Sequence, residues 1–101
     1  MDQRRTKRFE LKLPLEILRS GPNRVTGMGE TRNLSSGGVL FTSDTTLDIG
    51  QPIEYAIQLM SDSQGAKVFL RCLGKVLRRD KRAGPAALVA SLERYEFVRE
   101  Q

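Results

Sequence analysis

From Phe9 to Ile17 the stretch FELKLPLEI alternates apolar and polar side chains at every step. Phe9, Leu11, Leu13, Leu15 and Ile17 share one parity, while Glu10, Lys12, Pro14 and Glu16 share the other. A period of two belongs to a pleated strand with one buried face and cannot form the apolar stripe of a helix. Pro14 falls on the outward parity, where its missing N–H predicts an edge strand or a bulge.

The same grammar continues along the chain. Gly21, Pro22 and Asn23 predict a turn, and a second strand is expected from about Thr26 to Asn33. The tight loop LSSGG follows, and VLF at 39–41 begins a third strand. Ser43 to Pro52 is a polar loop containing Gly50. In IEYAIQL, the residues Ile53, Tyr55, Ile57 and Leu59 fall on one face of a fourth strand. After the turn SDSQG at 61–65 comes a long strand, VFLRCLGKVL at 68–77, then a charged turn, RDKRAGP, at 79–85. AALVASL at 86–92 is the last expected strand, and the tail ERYEFVREQ fits a short helix or an extended end. About six strands at short intervals, with little helix, predict an all-β antiparallel barrel or small sandwich. A closed barrel is favoured because it leaves few unpaired strand edges.

At 101 residues the chain suffices for one domain and can bury a core without covalent staples. No apolar run approaches the length of a membrane span, and no hydrophobic segment follows the N-terminal charges as in a secretory signal. Cys72 is the only cysteine, which excludes an internal disulfide, reads as a small buried apolar residue and fits a reducing, cytoplasmic setting. There is no histidine, which removes the commonest general base and the commonest metal ligand. The acidic residues are scattered without a distinct pair, so no catalytic residue and no metal site is expected.

Charge is more informative than composition. The net charge is +5, but residues 1–8 and 71–82 together hold ten basic and two acidic residues, while the remainder holds seven basic and ten acidic. The excess is thus confined to two short stretches, which form an anion site if the fold joins them and two solvated faces if it does not. The first contains Arg4, Arg5, Lys7 and Arg8, with Arg4 and Arg8 spaced as RxxxR. Arginine presents a planar fork of donors that matches paired phosphate oxygens and the O6/N7 edge of guanine. In the second, Lys75, Arg78 and Arg79 either add to that field or face solvent.

The other polar constellation is Asn33-Leu34-Ser35-Ser36-Gly37-Gly38. Asn33 and Ser35 are two residues apart, so in an extended chain both side chains point the same way. An amide and a hydroxyl can read a purine edge, and Gly38 permits a sharp turn and leaves room for a ligand at the backbone. Ser35 is not a plausible nucleophile, since the G-x-S-x-G elbow and an activating histidine are both missing. Alone, each stretch has an ordinary explanation: a basic N-terminus, and a polar loop between strands.

Together, RxxxR before the first strand and [D/N]xSxxG between the second and third resemble the PilZ domain family. The resemblance extends over nearly the whole chain and includes Gly37, Val39, the loop glycine Gly50 and the segment CLGKVLR at 72–78. It implies a six-stranded antiparallel β-barrel over residues 9–101 that receives the bacterial second messenger cyclic di-GMP, preceded by a flexible arginine-rich arm over residues 1–8. It also implies a binding module, not an enzyme, with at most a short C-terminal helix and with cyclic di-GMP as ligand and no cofactor. Arg4 and Arg8 would hold phosphates and guanine Hoogsteen edges, with Arg5 as an auxiliary contact. Asn33 and Ser35 would hydrogen-bond a guanine, and Gly37 and Gly38 would shape the turn. Ordering of the arm over the ligand would pass the signal to a downstream protein whose identity the residues do not give. Asn33 stands where many members have Asp, and offers one acceptor oxygen where a carboxylate offers two.

Two other readings use the same charge: a barrel that binds single-stranded nucleic acid, and a degenerate PilZ module that binds only protein. The first needs exposed aromatics on which bases stack. The chain has six aromatic residues and no Trp, and Phe9, Tyr55 and Phe97 are expected in the core. The second is disfavoured by the intact motif.

Overall fold

A computed structural model describes residues 10–100 of the chain. Seven strands account for most of them: β1 (Pro14–Ser20), β2 (Asn23–Leu34), β3 (Gly38–Ser43), β4 (Pro52–Ser61), β5 (Lys67–Arg79), β6 (Ala87–Ser91) and β7 (Arg94–Glu100). The only helical segment among the described residues is one 3₁₀ turn, Lys81–Ala83, between β5 and β6. All pairings are antiparallel.

Strands β1, β2, β3, β6, β5 and β4 follow one another around a ring that β4 and β5 close. This is the expected six-stranded antiparallel barrel. Irregularities at Ile17/Arg19, Thr31/Asn33, Gln58/Met60 and Val76/Arg78 bend the strands enough for the ring to close. The first turn has two residues, Gly21 and Pro22, between the paired Ser20 and Asn23, and Gly21 supplies the positive φ of 60° that it requires.

The core follows from the alternation. Leu15, Ile17, Phe41, Tyr55, Cys72 and Val76 all point inward and are almost completely buried. Phe41 and Tyr55 stack with ring centroids 6.1 Å apart, and the Tyr55 hydroxyl donates to the Ser91 carbonyl at 3.0 Å. Cys72 is a buried free thiol, as its apolar setting in sequence suggested.

Two expectations are corrected, and one alternative is decided. β1 begins at Pro14 rather than Phe9, which itself lies outside the described residues. Before Pro14 the ladder is irregular: the Leu13 N–H donates to the side-chain Oγ1 of Thr31 at 2.9 Å instead of to a backbone carbonyl, and Leu11 is 41% exposed. Of the two forms open to the tail, it takes the extended one, as strand β7 laid against the first half of β5. Phe97, expected in the core, is 68% exposed, because β7 lies outside the closed ring and its aromatic side chains have no opposing sheet.

β5 accommodates this extra strand by changing partners. Lys67 to Leu73 pair with β7, whereas Val76 to Arg79 pair with β6. At the change, Gly74 lies against the Ser91 carbonyl, and the Ser91 Oγ accepts from the Lys75 N–H at 2.9 Å.

Candidate functional site

The register places Asn33 beside Leu40, Leu40 beside Val89, and Val89 beside Arg78. Residues directly opposite in a ladder share a face, so these four form one row across β2, β3, β6 and β5. Their neighbours in the adjacent row, Val39, Ala90 and Val76, are fully buried. The row with Asn33 therefore faces outward, carrying a polar amide at one end, a guanidinium at the other and two aliphatic side chains between.

The β2–β3 loop borders this row. The Ser35 N–H donates to the Gly38 carbonyl at 3.0 Å, and its hydroxyl reaches the same oxygen at 3.3 Å. The Leu92 N–H donates to the Gly37 carbonyl at 3.2 Å, fixing the loop to the end of β6. Asn33, Ser35, Gly38, Leu40, Arg78 and Asp80 line a shallow depression of about 100 Å³. Arg78 lies 3.6 Å from the Asp80 carboxylate at its rim.

The two glycines serve different ends. Gly38 has no positive φ, so the sharp-turn reason expected for it is not the operative one. A Cβ there would sit 3.1 Å from the Ala90 carbonyl oxygen, a tight fit within the β3–β6 ladder. A Cβ on Gly37 would meet nothing within 4 Å, leaving open space above the loop.

Arg4, Arg5 and Arg8 lie outside the described residues, as does the whole proposed arm at 1–8. The chain just after them is informative. The Thr31 N–H donates to the Leu13 carbonyl at 2.9 Å, and the Thr31 hydroxyl donates to the Leu11 carbonyl. Residues 11–13 thus run alongside β2 in the antiparallel sense. Followed toward lower numbers, this direction leads from Thr31 toward Asn33.

The second basic stretch divides. Arg78 joins the depression. Arg79 reaches the Leu47 carbonyl at 3.4 Å, and Arg71 pairs with Glu54 and Glu96 on another face. Lys75 is exposed. Leu40, Val89, Arg78 and Asp80 were not singled out together in the sequence. Their juxtaposition depends on register across three strand pairs, and only the basic character of Arg78 signalled it.

A larger depression of about 460 Å³ lies elsewhere, lined by Glu16, Arg19, Arg24, Glu54, Phe69 and Arg71 among others. It contains no motif residue, and the carboxylate of Glu54 at its floor is already matched by Arg71. Among the described residues, no group of three or more His, Cys, Asp or Glu side chains is placed to hold a metal. No helix among them is long and apolar enough to cross a membrane.

The family model of the PilZ domain matches residues 2–98, almost the entire chain. The protein therefore belongs to the PilZ domain family, a family of receptor modules that bind cyclic di-GMP rather than catalyse reactions. No curated protein and no solved structure matches the chain significantly.

Proposed function

We propose that this chain is a cyclic di-GMP receptor whose ligand is held between the outer row of the barrel and the arginines of its N-terminal segment. The observation that carries the reading is the Asn33–Leu40–Val89–Arg78 row, flanked by Ser35 and lying in the direction along which residues 11–13 run. Leu40 and Val89 offer an apolar floor for a guanine ring. Asn33 and Ser35 offer donors and acceptors for its edge, and the open space above Gly37 admits the ligand. Arg4 and Arg8 clamp phosphates and Hoogsteen edges, Arg5 supports them, and Arg78 adds positive charge from the barrel side.

Ordering a short segment costs about 1–2 kcal/mol of backbone entropy per residue. Charge-assisted hydrogen bonds return about 1.5–3 kcal/mol each, so several acting together offset it. Ligand binding then changes the surface near the first strand, which a downstream protein can read. The proposed role is that of a cytoplasmic receptor without catalytic activity.

Titration calorimetry tests this directly. The wild-type chain is expected to bind cyclic di-GMP at micromolar or tighter affinity. Arg4→Ala, Arg8→Ala, Asn33→Ala and Ser35→Ala each weaken it by about tenfold or more while circular dichroism stays unchanged. Absence of binding by the wild type defeats the proposal. Tight binding of an unrelated single-stranded oligonucleotide, with a steep salt slope, supports the nucleic-acid reading instead.

A further inference from the structure

β7 pairs with β5 along one edge only, and among the described residues no strand occupies its other edge. Such an edge presents a row of unspent backbone donors and acceptors. Strands that must stay alone are commonly guarded by Pro or by charged side chains, above all Lys; Arg94–Glu100 contains neither Pro nor Lys, and its charges are two Arg and two Glu, which can pair with one another across two copies. On one of its faces stand Tyr95 and Phe97, 60% and 68% exposed, edge to face with centroids 6.2 Å apart. A bare edge beside two exposed aromatic rings is an adhesive surface.

The sequence of the strand says what it adheres to. Read from its ends inward, RYEFVRE sets Arg94 against Glu100, Tyr95 against Arg99, and Glu96 against Val98, with Phe97 at the centre. We propose that β7 pairs antiparallel with β7 of a second copy of this chain, about a two-fold axis through Phe97, to form one sheet continuous across both molecules.

The pleat narrows the register. With the two-fold perpendicular to the sheet, directly opposed residues must lie on the same face, so the axis passes through a residue and not between two. Centring on Phe97 employs all seven residues and gives two Arg94–Glu100 ion pairs, two Tyr95–Arg99 cation–π contacts and a Phe97–Phe97 contact. Centring on Glu96 places Glu96 opposite itself. Centring on Val98 places Glu96 opposite Glu100. Within β7, each shift removes every Arg–Glu pair and introduces a like-charge one, which is destabilising across strands.

Among the described residues, the ion pairs are made by Arg71, Arg78 and Arg99, and neither Arg94 nor Glu100 takes part in one. Arg99 is already positioned, its Nε donating to Asp62 Oδ2 at 2.6 Å and its Nη2 to Gln64 Oε1 at 2.9 Å. Its packing against an opposing Tyr95 therefore loses little further side-chain freedom.

Sedimentation velocity of the full chain over a wide concentration range tests the proposal. A reversible monomer–dimer equilibrium is expected. Arg94→Glu sets Glu against Glu100 at two places, and Glu100→Arg sets Arg against Arg94 at two places; each weakens self-association by about tenfold. An equimolar mixture of these two variants recovers the wild-type affinity, because every reversed charge then faces its opposite. The double variant carrying both changes recovers it as well. Both positions are exposed, so thermal melting at a concentration where the wild type is monomeric gives each variant the wild-type value. A monomer at all concentrations overturns the proposal. So does a dimer that ignores the reversals, or a mixture that fails to recover, since either assigns association to another face.

Discussion

Gly74 and Gly37 both sit in segments that carry the family resemblance, yet packing requires only one of them. A Cβ on Gly74 would lie 1.8 Å from the Ser91 carbonyl oxygen, an atom held in place by the Tyr55 hydroxyl. Gly74→Ala must therefore displace backbone where β5 exchanges β7 for β6, and urea unfolding is expected to show a loss of about 2–3 kcal/mol. Gly37→Ala enters open space and should change stability by less than about 0.5 kcal/mol. Equal losses at the two positions would contradict the packing account. Residues of the site differ in the same way in how far they could be read in advance. Asn33, Ser35 and Gly38 were legible because they are close in the chain and of chemically pointed types. Leu40 and Val89 were not, since an outward aliphatic residue has no local mark, and only the ladder sets them beside Asn33.

Among the elements, β7 shows where local pattern fails. RYEF alternates but Val98 breaks the pattern, Glu and Arg also suit a helix, and the strand exists because β5 offers a free edge to receive it. A second device fixes it there. Asp62 Oδ1 accepts from the Gln64 and Ala66 N–H groups at 2.9 Å each, while Oδ2 accepts from Arg99 on β7. The β4–β5 turn is thus fastened to the last strand. The Arg99 guanidinium, helped by the two backbone donors, holds the Asp62 carboxyl below its ordinary value of 3.8. A lowered value in the folded state means that the contribution of this fastening is present above the unfolded carboxyl's range. It is lost as pH falls through the folded one. Carboxyl carbon shifts followed by NMR should give an Asp62 midpoint below 3.8, and Arg99→Gln should return it toward that value. A normal midpoint in the wild type would show that the turn is not fastened through this charge pair.

For the molecule as a whole, the barrel was legible because about six short apolar segments, two of them plainly alternating, are separated by turn residues at short intervals. Its extra strand was not, because the alternation of β5 is the same before and after the point where its neighbour changes. The closed interior has a titration signature. Burial pushes the Cys72 thiol up to about 12 and raises the Tyr55 hydroxyl above its ordinary value of 10.0 as well. Both stay protonated in the folded barrel, whereas unfolding lets the thiol ionise near 9.0 and the phenol near 10.0. Their contribution is therefore complete below about pH 9 and is lost progressively as pH rises above it. The melting temperature should fall from that point, and Cys72→Ala should flatten the first part of the decline. A melting temperature constant to about pH 11 would contradict it. The topology also limits how such molecules can accumulate. A flat sheet of seven strands has two edges and can extend without end, as fibrils do. Among the described residues this ring has a single tangent strand, hence a valence of one. One strand-to-strand union saturates it, and growth by that route stops at two molecules.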